Sequence, residues 1–334
     1  RVNGGLRMGE KVAVLLCGYG EVEEYDEFAQ YNERSFRLLV SKSIKFPDFS
    51  IPFLSRRLER QQRKEWHAAN HYHSPHNDIF ERQREGIEKA LQAQYGNDVA
   101  VFKAFNFVPP WLPEQVLADI RSQGFEKIVV YPWLVVDSVF TSGLALEQIN
   151  EALRSDPSWV KDMRYLPSFW ERDDFQQRLV DQIEEGIAPL RERYAPSQIG
   201  VMLCLHGCPL ESKGYETGVR ESEALYYALQ ERLIHRYPLM TPAWMNHPVP
   251  GKWTTPDVDQ AAKNLTTLGA KALVFVPIGF VTENHETQLD IGYTIDKVGG
   301  DAECVHLPTL NDDPALLEMG ADWIKPLIDD LQAS

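Results

Sequence analysis

Four short apolar runs constrain the fold of this 334-residue chain more than any other feature. They are VAVLLCGYG (12–20), KIVVYPWLVV (127–136), IGVMLCLHG (199–207) and ALVFVPIGF (272–280). Each run is rich in β-branched residues and carries Gly or Pro towards its end. Such runs are typical of parallel strands that are covered on both faces. The chain therefore predicts parallel β-sheets with helices on either side.

Weaker apolar segments and amphipathic segments alternate with these four runs. We expect further strands near 99–107, 162–166, 240–246 and 302–306. Apolar residues at a spacing of three to four predict helices over 78–95, 113–123, 143–154, 173–192, 217–235, 257–268 and 313–331. Regular alternation of strands and helices favours parallel sheets built from βαβ units.

The same pattern occurs twice along the chain. A strand ending in a short turn opens each half, LLCGYG in one and MLCLHG in the other, and a later strand holds VVYPW or VFVPIG. The length also suits two domains. We predict two similar doubly wound, Rossmann-like α/β domains, residues 8–165 and 166–334, with a cleft between them. The last helix is expected either to stay with the second domain or to pack back on the first.

Composition excludes several classes of function. A formal net charge of −15 disfavours nucleic acid as a partner, because phosphates require a basic surface. No apolar run approaches the roughly 20 residues of a membrane span. The N-terminal RVNGGLR lacks the apolar segment of a signal peptide, and the four cysteines form no CxxC. We therefore expect a reduced, cytoplasmic protein.

Nucleotide-binding and common hydrolase motifs are absent from the sequence. There is no GxGxxG after the first strand, and no Walker A, HExxH or GxSxG motif. The first strand ends in GYG and is followed by acids that would repel a pyrophosphate, namely Glu21, Glu23, Glu24 and Asp26. We expect no nucleotide cofactor.

Ligands of doubly wound sheets bind beyond the carboxyl ends of the strands. The residues at those positions are Tyr19, the segment 137–143, His206 and Glu286. His206 follows VMLCL directly, and a neutral imidazole there can accept a proton or bind a metal near neutral pH. The alternative is a structural histidine bonded to a backbone carbonyl.

Acidic residues crowd the turn that follows the fourth strong strand. Glu283, His285, Glu286 and Asp290 all lie within GFVTENHETQLD. If this segment opens a helix, Glu286 and Asp290 lie one turn apart, and a line of acids suits the passage of a metal cation or of protons. The alternative is that these acids complement the dipole at a helix N-terminus.

Histidines are concentrated in WHAANHYHSPHND (66–78). Four of the nine histidines fall here, and they form a second candidate metal site: His67, His71, His73 and His76. The alternative is a polar loop that precedes the helix at 78.

A basic run, RRLERQQRK (56–64), precedes the histidines in an otherwise acidic chain. Its cations are Arg56, Arg57, Arg60, Arg63 and Lys64. The run is either an anion-binding site or the solvated face of a helix.

Several segments taken together resemble the ferrochelatases, the enzymes that insert ferrous iron into a porphyrin. LHGCPLESKGYETGVRESEALYYALQERL is similar to the family's histidine motif and the helix after it. WTTPDVDQAAKNLTTLGAKALVFVPIGFVTENHETQLDI resembles the second signature, and HLPTLNDDPALLEMGADWI resembles the C-terminal segment. The opening VAVLLCGYGEVEEYDEFAQYNERSFRLL is more loosely similar. The resemblance covers most of the chain and is strongest from 199 to 323.

The resemblance implies a chelatase-like fold and a role for particular residues. His206 and Glu286 stand at the positions of the catalytic pair and would handle metal and protons. We expect Glu283 and Asp290 to assist them in guiding the metal. The expected porphyrin-binding residues are Tyr19, Thr141, Ser142, Gly143, Arg56, Arg57, Trp133 and Phe280, with Arg60, Arg63 and Trp253 as further candidates. The arginines would pair with propionates, and the aromatic rings would hold the macrocycle distorted.

The chain also departs from the family. Asn284 stands where the family often has His or Cys, and HYHSPHND replaces a glycine-rich stretch. Cys304 stands alone, so we expect no iron–sulfur cluster and no cofactor beyond the substrate Fe(II). The apolar stretch FPDFSIPFL (46–54) is either a loop over the porphyrin or a peripheral membrane contact, as in the family. The sequence does not determine the oligomeric state.

Three alternatives to iron insertion into protoporphyrin IX or coproporphyrin III stay open at this point. The first is a chelatase for another tetrapyrrole or metal, such as sirohydrochlorin or cobalt. The second is a non-catalytic homologue that binds a tetrapyrrole or a metal. The third is a two-lobed small-molecule binding protein.

Overall fold

The computed structural model describes residues 10–23, 28–40, 47–69, 71–211, 214–247, 251–298, 300 and 302–334. The N-terminal RVNGGLR, Glu24, Asp26 and Phe46, which the sequence analysis singled out, lie outside the described residues.

The first half of the chain alternates strands and helices. Its elements are β1 (Val12–Gly18), α1 (Phe28–Ser35), α2 (Ile51–Ala68), α3 (His76–Tyr95), β2 (Val99–Phe105), α4 (Pro113–Ser122), β3 (Lys127–Pro132), α5 (Ser142–Arg154) and β4 (Asp162–Tyr165). A π-helical turn, Phe36–Val40, follows α1 directly.

The second half repeats the same alternation. It contains α6 (Asp173–Ile187), β5 (Ile199–His206), α7 (Val219–Leu233), β6 (Leu239–Met245), α8 (Val258–Thr267), β7 (Ala272–Pro277), a π-helical turn (Glu286–Asp290), α9 (Ile291–Val298), β8 (Glu303–His306) and α10 (Pro314–Ala333). Asp257 caps α8 by accepting a hydrogen bond from the Gln260 N–H at 2.8 Å.

Both halves contain a four-stranded parallel sheet of the same topology. The strand order is β2-β1-β3-β4 in the first sheet and β6-β5-β7-β8 in the second. The four strong apolar runs form β1, β3, β5 and β7, which are the central strands and are buried along their whole length except for His206. The prediction of a two-fold α/β architecture with parallel sheets is confirmed.

The order of the strands places the site. In each sheet, the connection that leaves the first strand in sequence (β1 or β5) runs to one side and the connection that leaves the third (β3 or β7) runs to the other. The crevice therefore opens beyond the carboxyl ends of β1 and β3, or of β5 and β7. The residues just after these strands therefore line the region between the two sheets.

The predicted strands and helices are all present, with small shifts at their ends. The expected helix 173–192 ends at Ile187 and continues as a 3₁₀ turn, Ala188–Glu192. The acidic segment after β7 differs more, because Glu286–Asp290 is a π-helical turn rather than the first turn of an α-helix. The basic run lies on α2, which the sequence indicated only as a candidate helix face.

The two halves share one apolar core. Buried residues of both sheets, such as Leu16 of β1 and Leu203 of β5, belong to a single contiguous cluster. Helix α10 lies against α3, β1 and β3 of the first half and also against α6. The Lys127 ammonium of β3 donates to the Leu331 carbonyl of α10 at 2.6 Å. The boundary between residues 165 and 166 stays a prediction.

No helix in the described part of the chain combines the length and the apolar character that a membrane span requires.

Candidate functional site

Two histidines meet where β5 and β6 end. The parallel register pairs His206 with Met245, and the Gly207 N–H donates to the Met245 carbonyl at 2.9 Å. His247 follows two residues after Met245. As a result the Nε2 atoms of His206 and His247 lie 3.3 Å apart.

Glu286 approaches both histidines from the segment that follows β7. Its Oε2 lies 3.8 Å from His206 Nε2, and its Oε1 lies 3.8 Å from His247 Nε2. The Glu286 side chain is 13% exposed, whereas the histidine side chains are 43% and 38% exposed. Solvent therefore reaches both imidazoles, and the carboxylate lies deeper.

The side chains of His206, His247 and Glu286 are hereafter called the donor triad. Within the described residues, this is the one group of three or more metal-ligating side chains whose donor atoms all lie within 4.8 Å of one another. The expected pairing of His206 with Glu286 is present. His247 was missed by the sequence analysis, although it follows the weak strand predicted near 240–246 and the strand-end rule applies to it.

Charges around the donor triad favour an ionised carboxylate and a neutral imidazole. Burial alone would raise the pKa of Glu286, but His206, His247 and His285 outweigh it and hold that pKa below its ordinary value. The pKa of His247 is lowered mainly by burial, against the pull of Glu286. Near neutral pH, His247 therefore presents a lone pair and Glu286 a negative charge.

A buried ion pair lies directly beside the donor triad. The imidazole Nδ1 of His285 contacts Glu21 of the first half, and the His285 backbone N–H donates to Glu21 Oε2 at 3.1 Å. Ser74 donates to the same carboxylate, and the Glu21 N–H donates to Asn77 Oδ1 at 3.1 Å. Burial would lower the pKa of His285, but Glu21 raises it to about 10. His285 is thus a fixed cation next to Glu286.

Glu283 is placed differently from the expectation. Its Oε2 accepts a hydrogen bond from Thr287 Oγ1 at 2.5 Å and its Oε1 accepts one from the Thr309 N–H at 2.7 Å. Burial raises the pKa of Glu283. Because both oxygens are engaged in holding the turn and the donor triad excludes this residue, the structure does not bring Glu283 to the metal-ligating group.

Asp290 closes the π-helical turn and also lies outside the donor triad. Solvent reaches its side chain, yet many protein atoms surround it, and this burial together with Glu286 raises the pKa of Asp290 to about 7. Asp290 can therefore take up or release a proton near neutral pH.

Aromatic side chains surround the donor triad. The ring centroid of Phe280 lies 6.0 Å from that of His206, and that of Trp253 lies 5.8 Å from that of His247. Tyr19 packs edge-on against Phe107, and burial followed by the charge of Glu286 raises the pKa of Tyr19. Phe280 and Trp253 thus lie beside the two imidazoles, and Tyr19 lies close enough to Glu286 to feel its charge.

The segment Thr141–Ser142–Gly143 lies at the start of α5, directly after a loop that contacts the loop before α7. The Gly143 N–H donates to the Ser138 carbonyl at 2.9 Å, and the Val139 N–H donates to Glu216 of the second half at 2.8 Å. Gly218 adopts a positive φ of 79°, and a side chain there would run into Val136 and Asp137. Residues 136–139, just before this segment, therefore connect the two halves.

Trp133 does not line the site, and the prediction that it binds porphyrin is wrong. Its side chain is 1% exposed and packs on Phe169 and Trp323, with ring centroids 5.1 and 6.5 Å away. The reason is that α10 covers this face of β3, and Gly320 of α10 lies directly against the indole ring.

The arginines Arg56 and Arg57 are exposed on α2. The C-terminal end of the same helix reaches the site, since Trp66 lies 6.3 Å from the His285 ring. At 1.5 Å per residue, the two arginines begin about 15 Å further along the helix axis. Arg60 is also exposed, and Arg63 pairs with Glu59 at 2.5 Å.

The four clustered histidines do not form one group. His67 and His71 are exposed and their ring centroids lie 4.5 Å apart, whereas His73 is exposed in the following loop. His76 is buried between Phe80 and Phe105. The second candidate metal site is thus not assembled among the described residues, because α3 begins at His76 and carries that ring into the core.

The fold and the donor triad define the class of protein: a two-sheet α/β chain with metal-ligating side chains at its strand ends. A family model described as Ferrochelatase matches residues 11–327. The chain belongs to the ferrochelatase family and is a metal chelatase. The resemblance inferred from its motifs is confirmed.

Curated relatives agree with this assignment. A ferrochelatase of Synechococcus elongatus is 26% identical over 327 residues, which cover 96% of this chain and 83% of that protein. Ferrochelatase-2, chloroplastic, of Oryza sativa subsp. indica is 26% identical over 339 residues, covering 94% of this chain and 61% of that protein.

Among solved structures, SirB from Bacillus subtilis with Fe³⁺ superposes with a TM-score of 0.56 at 10% identity. The superposition covers 97% of this chain and 98% of the SirB chain. The sirohydrochlorin chelatase SirB of subspecies spizizenii in complex with cobalt gives a TM-score of 0.54 at 11% identity, with the same coverage. At these identities the likeness shows the fold alone.

Proposed function

We propose that this chain inserts Fe(II) into a porphyrin, protoporphyrin IX or coproporphyrin III, as a step of haem biosynthesis. The observation that carries the proposal is the position of His206 and Glu286. They face each other 3.8 Å apart at strand ends, in a protein of the ferrochelatase family.

Metal insertion requires two pyrrole protons to leave and a divalent cation to lose its water. A solvent-accessible imidazole such as His206 can accept a proton from a pyrrole nitrogen. The ionised Glu286 attracts the cation and offsets the loss of hydration. Asp290, whose pKa is raised to about 7, can pass the released proton on to solvent.

The macrocycle is proposed to lie over the imidazoles, where Tyr19, Phe280 and Trp253 provide apolar and aromatic surface. Thr141, Ser142 and Gly143 would line its edge. The exposed guanidinium groups of α2, foremost Arg56 and Arg57, would pair with propionates, because guanidinium binds carboxylate in a bidentate manner.

A single spectroscopic titration tests the proposal. Purified protein is mixed anaerobically with protoporphyrin IX or coproporphyrin III, and Fe(II) is added while the porphyrin and haem absorption bands are followed. We expect catalytic conversion by the wild type and none by Glu286→Gln, with the exposed His235→Gln as a matched control that retains the wild-type rate.

Other tetrapyrroles and metals are the alternatives in the same assay. Conversion of sirohydrochlorin with Fe(II) or Co²⁺, and of neither porphyrin, would replace the proposed substrate. Tight stoichiometric binding of haem without turnover would instead indicate a non-catalytic carrier.

A further inference from the structure

We propose that His247 is a third metal ligand, so that His206, His247 and Glu286 bind the divalent metal substrate before any tetrapyrrole is present. The inference rests on the proposed function, since it assigns the metal-binding step of that reaction. It goes beyond the His206–Glu286 pair, which alone follows from the family motifs.

The distances between the donor atoms suit a metal ion. A divalent metal binds imidazole nitrogen and carboxylate oxygen at about 2.0 to 2.2 Å, which places neighbouring ligand atoms roughly 3 to 4 Å apart. The observed separations are 3.3 Å between the two Nε2 atoms and 3.8 Å from each Nε2 to the nearest Glu286 oxygen. Each imidazole nitrogen is thus close to a different oxygen of Glu286, an arrangement that suits a cation bound by both histidines and by the carboxylate.

One carboxylate oxygen of Glu286 lacks a hydrogen-bond donor among the described residues. Its Oε2 is buried and accepts no hydrogen bond from any described residue. A buried carboxylate oxygen without a donor is destabilising unless a cation or a ligand completes it. A metal bound by the donor triad would supply that partner.

The side chain of Asn246 anchors the residue directly before His247, which favours a preformed ligand. The neighbouring Asn246 donates to the Thr254 carbonyl at 2.8 Å and accepts from Thr254 Oγ1 at 3.1 Å. The indole of Trp253 stands edge-on to the imidazole of His247, with the two rings 79° apart. These contacts anchor the residue before His247 and place an indole ring beside its imidazole.

Three protein ligands leave coordination positions open. Catalytic metal sites commonly combine three side chains, including two histidines and a glutamate, with an open position for water or substrate. Here the open side lies at the exposed imidazole edges of His206 and His247, where pyrrole nitrogens would replace water. We infer that the metal is bound first, that the tetrapyrrole then displaces its remaining water, and that His206 accepts a pyrrole proton only as the metal passes from Nε2 to the pyrrole nitrogens.

Metal binding in the absence of tetrapyrrole tests the third ligand. Tag-free wild type, His247→Gln and His235→Gln are titrated with Co²⁺ alone, and the visible absorption of the bound ion and the heat of binding are recorded. We expect the wild type and the His235→Gln control to bind a single Co²⁺ equally well. For His247→Gln we expect the affinity for Co²⁺ to fall by at least roughly 10- to 100-fold. Loss of a mere supporting contact to a metal ligand already has an effect of that size.

Near-ultraviolet circular dichroism of the three proteins checks that His247→Gln is folded. Wild-type affinity for Co²⁺ in folded His247→Gln, or the lack of a defined Co²⁺ site in the wild type, would overturn the inference. The outcomes separate it from the proposed function. If the wild type inserts metal but His247→Gln binds Co²⁺ normally, only the assignment of His247 as third ligand fails. If the wild type binds Co²⁺ through His247 but inserts no metal, the proposed function fails.

Discussion

The imidazole of His285 is paired with the carboxylate of Glu21, which lies 264 positions earlier in the chain. Glu21 follows β1 of the first half, and His285 directly precedes the turn that presents Glu286. The pair therefore connects the two halves at the point where the donor triad is assembled.

The destabilisation caused by removing both members of this pair is expected to be smaller than the two single effects added together. Glu21→Gln leaves a buried cation unpaired and should lower the free energy of unfolding by about 3 kcal/mol. The double variant Glu21→Gln, His285→Gln should lose less than the sum of the single variants. Urea denaturation of the four proteins at about pH 6 measures this coupling, and additive losses would show that the pair contributes no interaction energy.

The same pair predicts how stability depends on pH. The pKa of His285 is raised from 6.5 to about 10, so its contribution is full below pH 6.5 and is lost as the pH rises towards 10. The pKa of Glu21 is lowered from 4.5 by His285 against the effect of burial, so its contribution is lost as the pH falls below 4.5. The difference in urea midpoint between the wild type and the double variant should therefore be largest between about pH 4.5 and pH 6.5. A difference that grows above pH 8 would contradict the assignment.

Replacing His206 by Ala is expected to separate porphyrin binding from metal insertion. Loss of the proton acceptor should reduce the insertion rate by about 10²- to 10⁴-fold. Porphyrin affinity, followed by fluorescence quenching, should change little because the aromatic surface is intact. His235→Ala, at an exposed position after α7, is the control, and full insertion activity in His206→Ala would remove this histidine from the mechanism.

Asp290 is expected to lower stability as the pH rises. Its pKa is raised from 3.8 to about 7, so between these values the folded protein keeps a proton that the unfolded chain has lost. Asp290→Asn should therefore be more stable relative to the wild type at about pH 8 than at about pH 4. Urea midpoints at the two pH values provide the comparison, with Asp296→Asn on the exposed face of α9 as the control. Equal differences at both pH values would be incompatible with the raised pKa.

Substitutions of Trp133 and of Phe280 are expected to have opposite effects on stability and on porphyrin binding. Trp133→Phe should lower the free energy of unfolding by about 1 to 3 kcal/mol, because it leaves space among Phe169 and Trp323, while porphyrin affinity stays unchanged. Phe280→Leu should weaken porphyrin binding with little change in stability. Denaturation and fluorescence titration of both variants distinguish the two roles, and weaker porphyrin binding by Trp133→Phe would place its ring at the site after all.

Local patterns predicted the sheets because a strand covered on both faces must be apolar along its length. The same patterns, combined with the rule that ligands bind beyond strand ends, pointed to His206 and to the segment of Glu286. His247 was not predicted because β6, LMTPAWM, is only partly buried and lacks the continuous apolar run of the central strands.

The errors arose from contacts made over long distances in sequence. Nothing near Trp133 indicates that α10 covers that face of its sheet, since the covering residues Gly320 and Trp323 come from the end of the chain. Similarly, the spacing of the four histidines does not reveal that α3 begins at His76 and directs this ring into the core. Such outcomes depend on which elements meet, and the sequence pattern of one element does not contain that information.

The contact of α10 with the first sheet has a consequence for the order of folding during synthesis. Leu317 packs on Gly86, and the Leu331 carbonyl binds Lys127, so Pro314–Ala333 completes the core around β1 and β3. The first half, although it leaves the ribosome early, cannot close its apolar surface until this helix has emerged. Until then, its uncovered apolar face is a site through which the growing chain can aggregate.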